Sequence, residues 1–235
     1  MPGSICFSTL DGGAANNQYE YAQQYAPKSA LPYAKIGMVY YRMKVYKESL
    51  KNLKKALELD PNNLLALNYL AQTYYIYRVY DTAEIYQQKL IELGNKQPED
   101  RAMLANIYFL GKKYDKAISL IDEIIQGDNE YNYLNRLIGY SYYENERYEE
   151  SATALEKFLE TQPAAKIVAS DYGYLGKAYI ALGDKEKGLE MIRKSVEMDP
   201  DNKETVKEVA KSFRKKKMYP EALEFYLKLI EIPDP

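Results

Sequence analysis

The sequence predicts an all-α fold: six full helical hairpins stacked in a row, with a half repeat at the N-terminus. Three periodic features carry this expectation. A small residue recurs at Ala15, Ser49, Ala83, Ala117, Ser151, Gly188 and Ala222, at five intervals of 34 residues and one of 37. A second small column, Gly37, Ala71, Ala105, Gly139, Gly176 and Ala210, runs twelve residues ahead of the first. An aromatic column, Tyr40, Tyr74, Tyr108, Tyr142, Tyr179 and Phe213, follows the second column by three residues. A stack of near-identical units requires such a period, because each unit must make the same contact in the same place.

Each period divides into two helices. Glycine costs about 0.5–1 kcal/mol in a helix relative to alanine. Its recurrence in mid-helix at Gly37, Gly139 and Gly176 therefore needs a reason. Close approach of the two helices supplies one, with the small residue of the first helix facing that of the second. Ile36, Leu70, Leu104, Ile138, Leu175 and Val209 stand one residue before the small column. Together with the aromatic column they form the i, i+4 stripe of an amphipathic helix. A turn column follows: Tyr46, Tyr80, Tyr114, Tyr148, Lys185 and Tyr219. The second helices continue with Leu53 and Ala56, Ile121 and Ile124, Leu155 and Phe158. Asp60-Pro61-Asn62-Asn63 and Asp199-Pro200-Asp201-Asn202 stop one hairpin and start the next.

The first full unit reads Tyr33, Ile36, Gly37, Tyr40, Ser49, Leu53, Ala56 and Pro61. The fifth reads Tyr172, Leu175, Gly176, Tyr179, Gly188, Ile192, Ser195 and Pro200. These columns resemble the tetratricopeptide repeat (TPR), and the resemblance covers residues 14–235. It implies a right-handed α–α superhelix, a TPR solenoid, whose first helices line a concave face that binds partner segments. The expected units are a half repeat at about 14–28, then 30–63, 64–97, 98–131, 132–168, 169–202 and 203–235, in a single array. Residues 1–13 read as a flexible leader of the kind an expression vector contributes.

Departures from the pattern are local. The second unit has Gln87 where a bulky apolar residue is expected, with Tyr86 beside it as the expected substitute. The third unit has Asn129 in place of the terminal proline. Three extra residues fall within Gln162 to Ser170 and read as a tolerated insertion. At the N-terminus, Ala15, Tyr19, Ala22 and Pro27 match a second helix without its first. At the other end, Pro220 to Ile232 carries apolar residues on more than one side, and no polar capping helix follows. Terminal repeats normally need one, so the array is expected to be a segment of a longer one.

Composition narrows the function. A net charge of −2 and a pI near 5.5 argue against a nucleic-acid binder that works by bulk electrostatics. The 32 basic residues comprise 7 arginines and 25 lysines. There is no histidine and one cysteine, Cys6, so an intramolecular disulfide and Cys/His zinc sites are excluded. The commonest general base is missing, no phosphate-cradling glycine loop is present, and Cys6 lies in the leader with no evident activator. No enzyme and no cofactor are expected. No run of about 18 apolar residues exists to span a membrane. The N-terminus lacks the basic start and apolar stretch of a signal peptide. The tyrosine- and lysine-rich, arginine-poor style resembles bacterial cell-envelope TPR proteins, which favours an envelope or periplasmic location over the cytoplasm.

The resemblance locates candidate binding residues on the first helices. An inward column follows the aromatic column directly: Tyr41, Tyr75, Phe109, Tyr143, Ile180 and Arg214. The same face is expected to carry Met38 and Arg42, then Asn68 and Gln72, then Asn106, then Arg136 and Tyr140, then Lys177. Lys207 and Lys211 join Arg214 at a basic C-terminal end. The amides suit the backbone of an extended peptide, and the basic end suits an acidic partner. Packing between neighbouring first helices is an equally good use for any single tyrosine. TPR grooves that clamp the C-terminal carboxylate of chaperones need lysine, asparagine and arginine at fixed sites. Here Ala34 and Met38, then Asn68 and Gln72, occupy the first of those sites, so that clamp is not expected.

The leading expectation is a non-catalytic scaffold that binds a protein segment. The alternatives are an assembly module that self-associates through its terminal repeats and, less favoured by charge, an RNA-binding helical repeat.

Overall fold

A computed structural model describes residues 19, 21, 23–94, 97–127 and 129–232. Among these residues the fold is all α, with twelve α-helices and two short 3₁₀ segments. The helices form six consecutive hairpins: α1 (Ala30–Arg42) with α2 (Tyr46–Leu59), α3 (Leu64–Ile76) with α4 (Tyr80–Glu92), and α5 (Pro98–Leu110) with α6 (Tyr114–Gly127). Then come α7 (Asn135–Glu144) with α8 (Tyr148–Thr161), α9 (Ala169–Leu182) with α10 (Lys185–Met198), and α11 (Lys203–Lys215) with α12 (Tyr219–Glu231). Tyr19, Tyr21 and residues 23–25 are helical, where the half repeat is expected. The leader with Cys6, and Ala15 and Ala22 of the half repeat, lie outside the described residues. The chain divides into two compact units, residues 1–116 and 117–235, with the boundary inside α6.

The two small columns meet as their spacing implies. The Ser49 hydroxyl donates to the Gly37 carbonyl at 2.8 Å, bonding the two helices of the first hairpin directly. A methyl group on Gly139 would lie 2.6 Å from Leu155 Cγ, and one on Gly176 only 2.7 Å from the Gly188 carbonyl oxygen. Such distances are shorter than atomic packing allows, so the missing side chain is what lets the helices approach. The apolar column Ile36, Leu70, Leu104, Ile138, Leu175 and Val209 is buried throughout.

A second regularity links each hairpin to the next through the aromatic column. Lys54 on α2 places its ammonium 5.7 Å from the Tyr74 ring centroid. Gln88 on α4 donates to the Tyr108 hydroxyl at 2.9 Å. In the second unit of the chain, burial and the neighbouring Asp122 carboxylate push the Tyr142 phenol pKa up. The Tyr179 hydroxyl donates to Glu156 on α8. These four polar residues share one register of the second helix, and each answers the ring that follows. In the fifth hairpin that register holds Arg193. The next ring is Phe213, which has no hydroxyl, and Arg193 binds Glu224 on α12 instead, at 3.1 Å.

The turns within the hairpins share a conformation that residue type does not announce. Lys44, Arg78, Lys112, Glu146, Gly183 and Lys217 all have positive φ, between 59° and 94°. The residue after each donates to the carbonyl of the aromatic column, as in Val45 to Tyr40 and Lys113 to Tyr108, at 2.8–3.0 Å. This is the Schellman closure of a helix, which ordinarily uses glycine at the left-handed position.

Gln87 corrects an expectation. It is fully buried in the core position itself, and its amide donates to the Asp100 carbonyl at 2.9 Å on the next hairpin. Tyr86 does not substitute for it; it lies half-buried, stacked on Tyr74 with centroids 5.7 Å apart. The Asp100 carbonyl lies in the first turn of α5, and its second lone pair accepts the Gln87 N–H beside the helix's own bond. The residues around Asn129 form a 3₁₀ segment, Asn129–Leu134, and α7 is correspondingly short at 10 residues. The extra residues between α8 and α9 form a longer connection with one 3₁₀ turn, Ala164–Lys166.

A non-glycine residue held left-handed costs about 1–2 kcal/mol, part of which glycine returns through its freer unfolded chain. Lys112 is exposed. Replacing Lys112 with glycine is therefore expected to raise stability by about 0.5–1 kcal/mol in urea unfolding; a loss of stability would contradict the turn assignment.

Candidate partner-binding face

The inward column stands at the C-terminal end of each first helix, where the turn closure holds it. The N–H of each left-handed residue donates to an inward-column carbonyl, as in Lys44 to Tyr41, Arg78 to Tyr75, Lys112 to Phe109 and Glu146 to Tyr143, at 2.9–3.0 Å. Each aromatic side chain of this column then packs on the turn-column ring five residues ahead. Centroid distances are 5.7 Å for Tyr41–Tyr46, 6.1 Å for Tyr75–Tyr80, 5.9 Å for Phe109–Tyr114 and 5.5 Å for Tyr143–Tyr148. The four inward rings are half-buried: one part is braced by the turn, and the rest is open to solvent. Ile180 and Lys185 break the series in the fifth hairpin.

In the first unit of the chain, the Tyr41 ring also meets Tyr69 edge-on at 5.0 Å, across α1 and α3. Burial pushes the Tyr41 and Tyr75 phenols above their usual pKa, with Tyr46 and Tyr80 adding to the shift. Asn68 and Gln72 lie one turn apart on α3, and the Gln72 amide donates to Asn68 Oδ1 at 2.6 Å. This leaves the Asn68 N–H pair and the Gln72 carbonyl side by side, a donor and an acceptor matching a peptide group. Asn106 on α5 donates to the Ala102 carbonyl at 3.0 Å, which keeps its own carbonyl available. Arg42 is exposed. Met38 is 4% exposed and packs in the core, so it offers a partner almost no surface.

In the second unit, the expected face is organised around a carboxylate that the sequence reading does not single out. Asp171, fully buried at the start of α9, accepts from Arg136 Nε at 2.6 Å and Nη2 at 2.7 Å. It also accepts from the Tyr140 hydroxyl at 2.6 Å and the Val168 N–H at 2.8 Å. Arg136 donates further to the Lys166 carbonyl, and its guanidinium lies 4.5 Å from the Phe158 ring centroid. Arg136 and Tyr140 thus work inside the protein, tying α7 to the connection before α9 and to α9 itself. The insertion has a structural task here: it supplies both Lys166 and Val168. Burial and the Asp171 hydrogen bond raise the Tyr140 pKa well beyond the ordinary phenol range.

The open part of this face lies nearby. Tyr174 stacks on Tyr140 with centroids 4.1 Å apart, meets Tyr143 edge-on at 5.4 Å and donates to Glu144 at 2.9 Å. Lys177 extends over the Tyr174 ring at 5.3 Å. Burial pushes the Tyr143 phenol up to about 12. On α11, Lys207 pairs with Glu204 at 3.6 Å, and Lys211 and Arg214 are exposed. Sequence reasoning missed Tyr69 and Tyr174, although both stand directly before the apolar column. Among the described residues, no group of three or more His, Cys, Asp or Glu side chains could hold a metal ion.

Comparisons with known proteins agree on the architecture. A family model described as tetratricopeptide repeat matches residues 31–63 and 172–202, and one described as anaphase-promoting complex, cyclosome, subunit 3 matches residues 76–158. No curated protein matches the chain. Among solved structures, YrrB, described as a TPR protein with an unusual peptide-binding site, superimposes with a TM-score of 0.68 at 19% identity, covering 82% of this chain and 97% of its own. MamA gives 0.63 at 22% identity, over 73% of this chain and 92% of its own. The APC/C hetero-tetramer Cut9-Hcn1 gives 0.63 at 14% identity, over 95% of this chain and 44% of the other.

Removing a charge from a buried, hydrogen-bonded pair costs about 3–5 kcal/mol, less where one partner is partly solvated, as Arg136 is here. Asp171→Ala is therefore expected to lower unfolding free energy by about 2–3 kcal/mol. The double variant with Arg136→Ala should fall by less than the sum of the two single losses. Additive losses in urea titrations would contradict the network. The 34-residue columns, the hairpin packing that they produce and the matched models together show that this chain carries tetratricopeptide repeats and folds as a tetratricopeptide-repeat solenoid.

Proposed function

We propose that the chain is a non-catalytic scaffold that binds an extended protein segment along its first helices. The Asn68–Gln72 pair carries the reading. Its internal hydrogen bond fixes both amides and leaves one donor and one acceptor in the pattern of a strand neighbour. Preorganised amides save the ordering cost that weakens binding by loose side chains. Tyr41, Tyr75 and Phe109 add half-open aromatic surface on α3 and on the first helices before and after it, already immobilised by the turn rings. In the second unit, Tyr143 and Lys177 offer aromatic and cationic contacts, and Lys207, Lys211 and Arg214 suit acidic residues of a partner. Met38, Arg136 and Tyr140 are left out of the contact set, because the protein uses them internally. The peptide-binding description attached to YrrB supports the same class of function.

Asn68→Ala with Gln72→Ala removes the amide pair from a half-buried surface and is expected to leave the fold intact. Tyr41, Tyr75, Phe109 and Tyr143 changed to alanine remove the aromatic surface. Both variants should lose at least tenfold in affinity, about 1.4 kcal/mol or more, for a partner captured by the native chain and identified by mass spectrometry. Undiminished capture by both variants would refute the reading.

A further inference from the structure

The turns that close the first three hairpins share a side-chain character that the fourth lacks. They read Met43-Lys44-Val45, Tyr77-Arg78-Val79 and Leu110-Gly111-Lys112. Each holds a cation at the left-handed position, and all three cations are exposed. The apolar side chains of the same turns, Met43, Val45, Tyr77, Val79 and Leu110, are 38–53% exposed. Consecutive turns adjoin, so these residues form one edge of the first unit. Tyr46 meets Tyr77 at 5.9 Å across the first two turns, and Lys113 reaches Asp81 at 2.7 Å across the second and third. Glu48, Asp81 and Asp115 follow in the first turns of the second helices. Lys51 stands 4.0 Å from Glu48, and Lys113 offsets Asp81. In the second unit the left-handed positions hold Glu146, Gly183 and Lys217, and the turn at Glu146 reads Glu144-Asn145-Glu146. Glycine fits a left-handed position best, so the first unit keeps three cations at its tips where another residue would sit with less strain.

We propose that this edge rests on the surface of an anionic lipid bilayer. The apolar side chains of the tips enter the boundary between headgroups and acyl chains, and Lys44, Arg78 and Lys112 reach back to the anionic headgroups. Among the described residues no helix is long and apolar enough to cross a membrane, and the contact proposed is a surface one. Two features favour a bilayer over an acidic protein segment. Cations alternate with apolar side chains along each tip, as an interface that is apolar below and charged above requires. The backbone of the tips is also self-sufficient. The N–H groups of Met43, Lys44 and Val45, of Tyr77, Arg78 and Val79, and of Gly111, Lys112 and Lys113 all donate to carbonyls of the preceding helix, at 2.8–3.1 Å. A region poor in water penalises unpaired backbone donors, and these tips bring none of them to it.

Flotation of the full chain with vesicles of about one-third phosphatidylserine in phosphatidylcholine tests this. The native chain is expected to float with these vesicles, to ignore vesicles of phosphatidylcholine alone, and to be released as salt is raised. Lys44→Gly, Arg78→Gly and Lys112→Gly together should cut partition roughly a hundredfold, at about fivefold per cation. The same variant should melt at or above the native temperature, because glycine suits the turns, so a loss of binding cannot be a loss of fold. Met43→Ser with Tyr77→Ser should cut partition about tenfold with all cations in place. A native chain that does not float with the anionic vesicles would overturn the proposal, as would binding that survives the three glycines. Binding that needs the cations and is indifferent to Met43 and Tyr77 would overturn it too, since that is the behaviour of a charged patch made for an acidic protein segment.

Discussion

The structure depends on how closely the two helices of each hairpin approach at their small residues. Where Gly37 faces Ser49, a hydroxyl reaches the opposite backbone carbonyl at 2.8 Å. Where Gly176 faces Gly188, no side chain intervenes at all. This spacing turns the apolar column inward and sets the aromatic column at the seam with the following hairpin. It also brings the turn close enough to the first helix for the Schellman closure to form. The closure in turn fixes the inward column, because it bonds that residue's carbonyl and places the turn ring against its side chain. The candidate face and the hairpin geometry are therefore parts of one construction.

The columns were legible in the sequence because each reports a contact made within one period or with the adjacent one. Small, apolar and aromatic positions repeat since the same neighbours repeat. The left-handed turn residue was not legible: Lys, Arg, Lys, Glu, Gly and Lys share no side-chain property. Its conformation is set by the closure around it, and the residue's own preference is overridden. Gln87 was misread for a related reason. A glutamine reads as solvent-exposed unless the acceptor opposite it is known, and Asp100 belongs to the next hairpin.

The candidate face was legible in part. Tyr41, Tyr75, Phe109 and Tyr143 share a register and were found through it, and Asn68, Gln72 and Asn106 lie on the same face. Arg136 and Tyr140 share that face too, but their partner Asp171 lies 35 and 31 residues away, next to the one irregular interval. An irregular interval has no column to compare with, so the spacing could not show that the insertion supplies hydrogen-bond partners. Met38 was placed on the face by register alone, and packing draws it into the core.

The small-column constraint is tested most directly by the stability of Gly176→Ala, measured by urea unfolding. Alanine is the better helix former by about 0.8–1 kcal/mol, so without the constraint the variant should gain stability. The close approach of α9 and α10 predicts the opposite sign. The new methyl would meet the Gly188 carbonyl oxygen at 2.7 Å and Ile192 Cγ1 at 2.8 Å, and overpacking of this kind costs about 1–3 kcal/mol. A net loss of stability is the predicted result, and a gain would contradict the account.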